Sequence, residues 1–380
     1  MADHRSIHSN PLSPSAQTAY AQVLDHVLAL SIHRSVADLS GNFAKKLVSG
    51  REYWYFQYRD IDRKVKQVYL GPQSDRLDRL IAAKAAFTEK QDALGRQTRA
   101  AIQLGNEAIP KSQFKVIRRL DDYGLFRAGG VLVGTHAFAC YGNMFGVAWL
   151  EFQKTQDMDF AFAGRSLSIA LPSDLQIDLH DAISSLEMGF LPSSKLDGLF
   201  GGTYVVPHNP DFRIDFLTTM GRDNSGLVNF PNLNLGMIPL KFMEYSLVDI
   251  KQAALLSEDG AVLANVPNPA RFALHKLIVA GERDGQFRTK AKKDIWQSAA
   301  LISYLIEHQP EELADAWIDL HGRGKGWQTR FAIGMRSLLK DFPDMTATIA
   351  TCETAVEHRR QELADIADEA DDSDIGTSRS

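Results

Sequence analysis

The chain has 380 residues, 44% of them hydrophobic, and a formal net charge of -5 at pH 7. That length supports two or three domains with a sizeable core, and the mild acidity excludes a protein that coats nucleic acid over its whole surface while leaving room for a local basic patch. Two cysteines, Cys140 and Cys352, exclude a disulfide framework or a cysteine metal cluster and fit a reducing cytoplasm; no secretory signal and no apolar run of about 18 residues is visible, so no membrane partner is expected.

Residues 1–15 are rich in Ser, His, Asn and Pro and are expected to form a disordered leader. The N-terminal region, 16–108, begins with apolar positions at helical spacing over 16–30. Two aromatic runs follow, 50–59 and 66–71, and predict a β-hairpin. The Ala-, Arg-, Lys- and Leu-rich stretch 74–105 predicts helix. Residues 45–69 interleave Lys45, Lys46, Arg51, Arg59 and Lys66 with Tyr53, Trp54, Tyr55, Phe56 and Tyr69. Basic residues among aromatics suit a nucleic-acid backbone with base stacking. The alternative is a hairpin whose inner aromatic face packs on the domain while its outer face is merely solvated.

The core, 109–265, reads α-β-α-β-α-β-β as far as residue 218: helix over 110–126, strand 131–133, helix 136–145, strand 157–163, helix 178–188, then strands 203–206 and 212–217. That order predicts an α+β unit with one mixed sheet. Helical periodicity then runs over 266–364, broken near Pro310, residues 322–326 and Pro343, and predicts a helical C-terminal domain. Residues 365–380 are acidic and polar and are expected to remain disordered.

Asp157 and Asp159 stand one residue apart on a predicted strand, so both carboxylates point the same way, with Met158 turned toward the core. Two close carboxylates repel unless a cation sits between them, and Mg2+ takes hard oxygen ligands. Asp215 interrupts an apolar strand, where an unpaired carboxylate is costly; if its strand neighbours that of Asp157, three acids converge and can hold two metal ions for an in-line phosphoryl displacement. Upstream, Gly134 and Thr135 end an apolar strand and open a helix. Glycine permits close backbone approach to a ligand, and a helix N-terminus suits a phosphate; a plain strand-to-helix turn with a Thr135 N-cap is the alternative. His136 and Cys140 lie one turn apart, but no further ligand completes a set, so both are expected to pack.

Gly134, Thr135, Asp157, Asp159 and Asp215, with 132–138, 155–160 and 266–277, resemble the DNA polymerase β-like nucleotidyltransferase superfamily, in an uncharacterised bacterial branch. The resemblance covers residues 110–300. Thr135 stands where Ser is usual, and the gap from Gly134 to Asp157 is long. The resemblance implies a polymerase β-type core and transfer of NMP from an NTP to a hydroxyl, with two Mg2+ ions (or Mn2+) held by the three aspartates. Gly134 and Thr135 would hold the triphosphate. Lys276 falls where members place a triphosphate-contacting Lys, and Arg271 and His275, one turn apart on the same predicted helix, join it as nucleotide-binding candidates. Asp294 is expected to pair with a neighbouring Lys. The acceptor is expected to be a nucleic acid such as tRNA, reached through residues 45–69, or a protein; a toxin or defence role would add an inhibitory partner protein. A small-molecule, antibiotic-type transferase and a non-catalytic nucleic-acid-binding protein of the same fold are the alternatives.

Overall fold

The computed structural model describes residues 9–32, 42–48, 51–59, 65–149, 155–163, 177–196, 199–221, 226–283 and 288–377. The architecture is α+β: a mixed sheet with helices against it, preceded by two helices and a small sheet and followed by a helical region.

Strand β1 (Ser9–Pro11) pairs antiparallel with β6 (Val147–Trp149). Residues 9–11 therefore depart from the expected leader, because their backbone groups find a sheet partner; residues 1–8 lie outside the described residues. Helix α1 (Pro14–Ile32) packs on α2 (Asp75–Gln103), which Ser74 caps by accepting from the Leu77 N–H. Between them, β2 (Asn42–Val48), β3 (Arg51–Arg59) and β4 (Val65–Gly71) form an antiparallel sheet. The expected hairpin is thus the second half of a three-stranded sheet. Strand β2 was not foreseen, because Lys45 and Lys46 interrupt its apolar alternation.

Helix α3 (Lys111–Asp122) leads to β5 (Val131–Val133), α4 (Gly134–Phe145) and β7 (Met158–Phe162). After α5 (Leu179–Ser184) come β8 (Leu191–Leu196), β9 (Leu199–Val206), β10 (Asn209–Thr219), β11 (Val228–Phe230) and β12 (Leu235–Leu240). These strands make one sheet in the order β11-β12-β9-β10-β7-β5, with β8 beside β9. Strands β7 and β10 run parallel in its centre, and β5 closes the edge antiparallel to β7. Met158, Phe160, Ile214 and Phe216 are fully buried on one face, with the Phe160 and Phe216 rings 5.7 Å apart. Side-chain alternation sends Asp159 and Asp215 to the other face.

After α6 (Met243–Ser246), β13 (Lys251–Ser257) and β14 (Gly260–Val266) form a hairpin that the sequence did not reveal. One of its faces covers α1 and α2 through Tyr20, Val23, Leu94, Ala254 and Leu256. Near the end of β14, the Asn265 side chain donates to the Phe126 and Gly130 carbonyls and pins the turn before β5.

Helices α7 (Pro269–Glu282), α8 (Arg288–His308), α9 (Pro310–Gly322), α10 (Lys325–Asp341) and α11 (Met345–Thr377) complete the chain. They share their apolar core with the sheet unit: Phe138 and Tyr141 of α4 meet Phe272 of α7, the latter pair at 5.2 Å, and Phe138 meets Trp296 of α8 at 5.4 Å. Helices α7 and α10 touch backbone to backbone. A Cβ on Gly281 would strike the Arg330 carbonyl, and one on Gly334 the Leu277 carbonyl. Helix α11 continues to residue 377 instead of dissolving at 365; its tail is rich in Ala, Asp and Glu, and a packed first half has already met the cost of nucleation. No helix among the described residues is long and apolar enough to cross a membrane.

Candidate active site

Three adjacent strands bring the expected acids together. On β7, Asp159 stands opposite Val133 of β5 on one side and opposite Asp215 of β10 on the other. Asp157 lies just ahead of β7, which begins at Met158, and returns to the same face as Asp159. Immediately after Val133 the chain turns through Gly134 with φ +64°, a left-handed conformation that favours glycine. Space makes the same demand, since a Cβ there would collide with Asp159 Oδ2. Gly134 is therefore fixed twice, by its own backbone and by the carboxylate it crosses.

Thr135 does not cap α4. The capping position is Val133, which has no side-chain hydrogen bond to offer, and Thr135 sits buried in the first turn. The leading N–H groups of α4 are thus not claimed by a capping side chain and retain the electropositive character of a helix start.

Arg213, which the sequence reading missed, occupies the centre of the cluster. Its Nε lies 3.1 Å from Asp215 Oδ2 and its Nη2 3.7 Å from Asp157 Oδ2. The signal was present, since Arg213 and Asp215 are two apart on one strand and share a face. Thr203 on β9, also missed, donates its hydroxyl to Asp215 Oδ1. Asp159 carries the electrostatic strain. Burial first, then the charges of Asp157 and Asp215, push its carboxyl from 3.8 to about 7, against the opposing pull of Lys276 and Lys290.

That strain is what a cation would relieve, and three carboxylates are the oxygen donors a hard divalent ion prefers. As they stand, with Arg213 spanning Asp157 and Asp215, no group of three or more His, Cys, Asp or Glu among the described residues is spaced to hold a metal. The oxygen donors are of the kind Mg2+ prefers, and the Arg213 guanidinium now lies between two of them.

The helical region supplies the facing cations. Lys276 on α7 donates to Asp294 Oδ1 at 2.7 Å, and Arg283 approaches the second oxygen at 3.0 Å. Asp294 thus pairs with Lys276 and Arg283 across the helices, not with the lysines beside it in sequence. Lys293 on α8 is drawn below the ordinary lysine range by burial and pulled back by Asp157. The other two candidates go elsewhere. Arg271 is bound to Asp319 on α9 and lies 5.1 Å from the centre of the Tyr245 ring. His275 is buried, and that burial lowers its imidazole to about 3, so it is neutral. Asp319 thus claims Arg271, whereas His275 lies within reach of the charges of Lys276, Asp294 and Arg283 as a neutral, buried ring.

His136 and Cys140 pack, as expected. Burial lowers His136 to about 4 and raises the Cys140 thiol to about 12. His136 Nε2 meets Gln113 Oε1 at 3.1 Å, and the Gln113 amide donates to the Thr155 carbonyl, which ties the approach to Asp157 onto α3 and α4.

A nucleotidyltransferase family model matches residues 111–321, from the start of α3 to α9. No curated protein and no solved structure matches the chain.

Proposed function

The chain belongs to the nucleotidyltransferase family, and we propose that it is a metal-dependent enzyme of the polymerase β type that moves NMP from an NTP to a hydroxyl of a nucleic acid. The observation that carries this reading is the alignment of Val133, Asp159 and Asp215 across β5, β7 and β10, with Gly134 folded onto Asp159.

In this reading Gly134 lets the start of α4 approach the triphosphate, and its free N–H groups, with the Thr135 hydroxyl, receive phosphate oxygens. Lys276 and Lys293 face the acids from the helical side and offset the negative charge that gathers on the leaving pyrophosphate. Arg283 continues to neutralise Asp294 when Lys276 turns to the nucleotide. Asp157, Asp159 and Asp215 would hold Mg2+ or Mn2+, which polarises the α-phosphate and lowers the pKa of the attacking hydroxyl. Asp215, oriented by Thr203, accepts that hydroxyl's proton. The new bond joins acceptor oxygen to the α-phosphorus; the bond from that phosphorus to the β-phosphate bridging oxygen breaks, and pyrophosphate carries the electrons away.

The test is incubation of the full chain with each α-labelled NTP, Mg2+ and total cellular RNA, beside the Asp157→Ala/Asp159→Ala variant. Label should enter RNA with the parent chain alone. Transfer that survives the double substitution removes the site assignment. Transfer to small hydroxyl compounds and not to RNA removes the nucleic-acid acceptor.

A further inference from the structure

Strands β2, β3 and β4 carry aromatic rings on both faces. Residues two apart along a strand share a face, and the register carries each face across the sheet: Lys46 stands opposite Tyr53, Tyr55 opposite Tyr69, and Gln57 opposite Gln67. The inner face is Phe43, Trp54 and Phe56. Phe43 meets Phe56 edge-on at 5.3 Å, Lys84 of α2 lies 5.8 Å from the Phe56 ring centre, and the Trp54 indole nitrogen is shut off from water. That face needs its rings for packing.

The outer face holds Tyr53 and Tyr55, both half-buried, and Tyr69. Tyr69 is 56% exposed, with its ring 5.9 Å from that of Tyr53 and 5.5 Å from that of Tyr55. The Lys46 ammonium stands 5.1 Å from the Tyr55 ring centre and bonds Gln67. Residues 42–71 contain seven Lys or Arg against three Asp or Glu, in a chain whose net charge is -5. The charge of this segment is therefore opposite in sign to that of the whole.

We propose that the outer face, built on Tyr53, Tyr55, Tyr69 and Lys46, is the docking surface for a single strand of nucleic acid. The inference rests on the transferase reading and gives its acceptor a chemical class, a strand with unpaired bases. The rings accept base faces, Lys46 accepts phosphate, and the Gln57 and Gln67 amides lie on the same face within reach of base edges. Paired bases offer only their edges, so a duplex cannot use the rings. Tyrosines would also serve a protein partner, but the core of such an interface is depleted of lysine, and this segment is rich in it.

Fluorescence anisotropy of the full chain with a labelled mixed-sequence RNA 12-mer, the same DNA single strand and the matching duplex provides the test. Single strands should bind more tightly than duplex, with affinity falling as salt rises. Tyr69→Ala, at an exposed position that leaves the fold intact, should weaken single-strand binding about tenfold, and Lys46→Ala should flatten the salt dependence. Unchanged binding in both variants, a preference for duplex, or no oligonucleotide binding at all overturns the proposal. Mg2+–NTP binding, followed by calorimetry on the same preparations, keeps the two readings apart. Its absence with intact strand binding counts against the transferase site alone, and its presence without strand binding counts against the docking surface alone.

Discussion

Replacing Asp159 with Asn removes the carboxyl that this fold holds against its own ionisation. Burial and two neighbouring acids raise it from 3.8 to about 7. At about 1.36 kcal/mol for each tenfold change in proton affinity, the charged form costs the folded chain about 4 kcal/mol at most. Asp159 keeps some exposure, and solvent screening reduces the expected figure to about 1–3 kcal/mol. Because the folded value is raised, the folded chain binds this proton more tightly than the unfolded chain does. The penalty is absent below 3.8, grows as pH rises, and is complete above about 7. Asp159→Asn should therefore be more stable than the parent in metal-free buffer at about pH 8, and the gap should shrink toward about pH 5. Urea unfolding in the presence of a chelator measures both. Mg2+ should then stabilise the parent and leave the variant unmoved, and label transfer should vanish in the variant. A variant no more stable than the parent at high pH, or a gap independent of pH, refutes the electrostatic account of the site.

Gly134→Ala should reduce label transfer by at least about 100-fold, since the left-handed backbone costs alanine about 1 kcal/mol and its Cβ displaces the Asp159 carboxylate; near-normal transfer by a folded variant rejects that contact as part of the site. Arg213→Gln should cost about 1–2 kcal/mol at about pH 8 without metal, because Asp157 and Asp215 lose their shared cation; a variant as stable as the parent in urea titrations counts against it. Gly334→Ala should destabilise by about 2–4 kcal/mol in the same assay, because the added methyl meets the Leu277 carbonyl; a gain of about 1 kcal/mol, which helix propensity alone predicts, contradicts the backbone contact.

The acids were legible because strand periodicity is local. Asp157, Met158 and Asp159 declare their faces within three residues, and Asp215 interrupts an apolar run. Gly134 was legible for the same reason, although the steric demand of Asp159 upon it depends on the β5–β7 register, which sequence does not specify. Arg213 could have been found by applying the same two-residue rule to Asp215. Other features depended on distant partners. Arg271 is taken by Asp319, 48 residues on, and nothing near either residue announces it. The β13–β14 hairpin packs on both faces, so Ala253, Ala254, Leu255 and Leu256 form a continuous apolar run with no alternation to mark a strand. The helical region looked separate because its periodicity changes at Pro267, but Phe272 and Trp296 lie against Phe138, and that contact places both regions in one core.

The glycine contact between α7 and α10 also orders the chain by the ease with which its parts open. Where two backbones meet without a side-chain layer, water has no route to the amides beneath, and separating the helices breaks both at once. Amides over residues 277–281 should thus be among the slowest in the protein to exchange with deuterium, while those of β4, whose Val65, Tyr69 and Leu70 already face solvent, should exchange early. Lys276 sits at the edge of the slow stretch. If those amides do exchange slowly, the helix that carries Lys276 is held against α10 where the protein opens least readily.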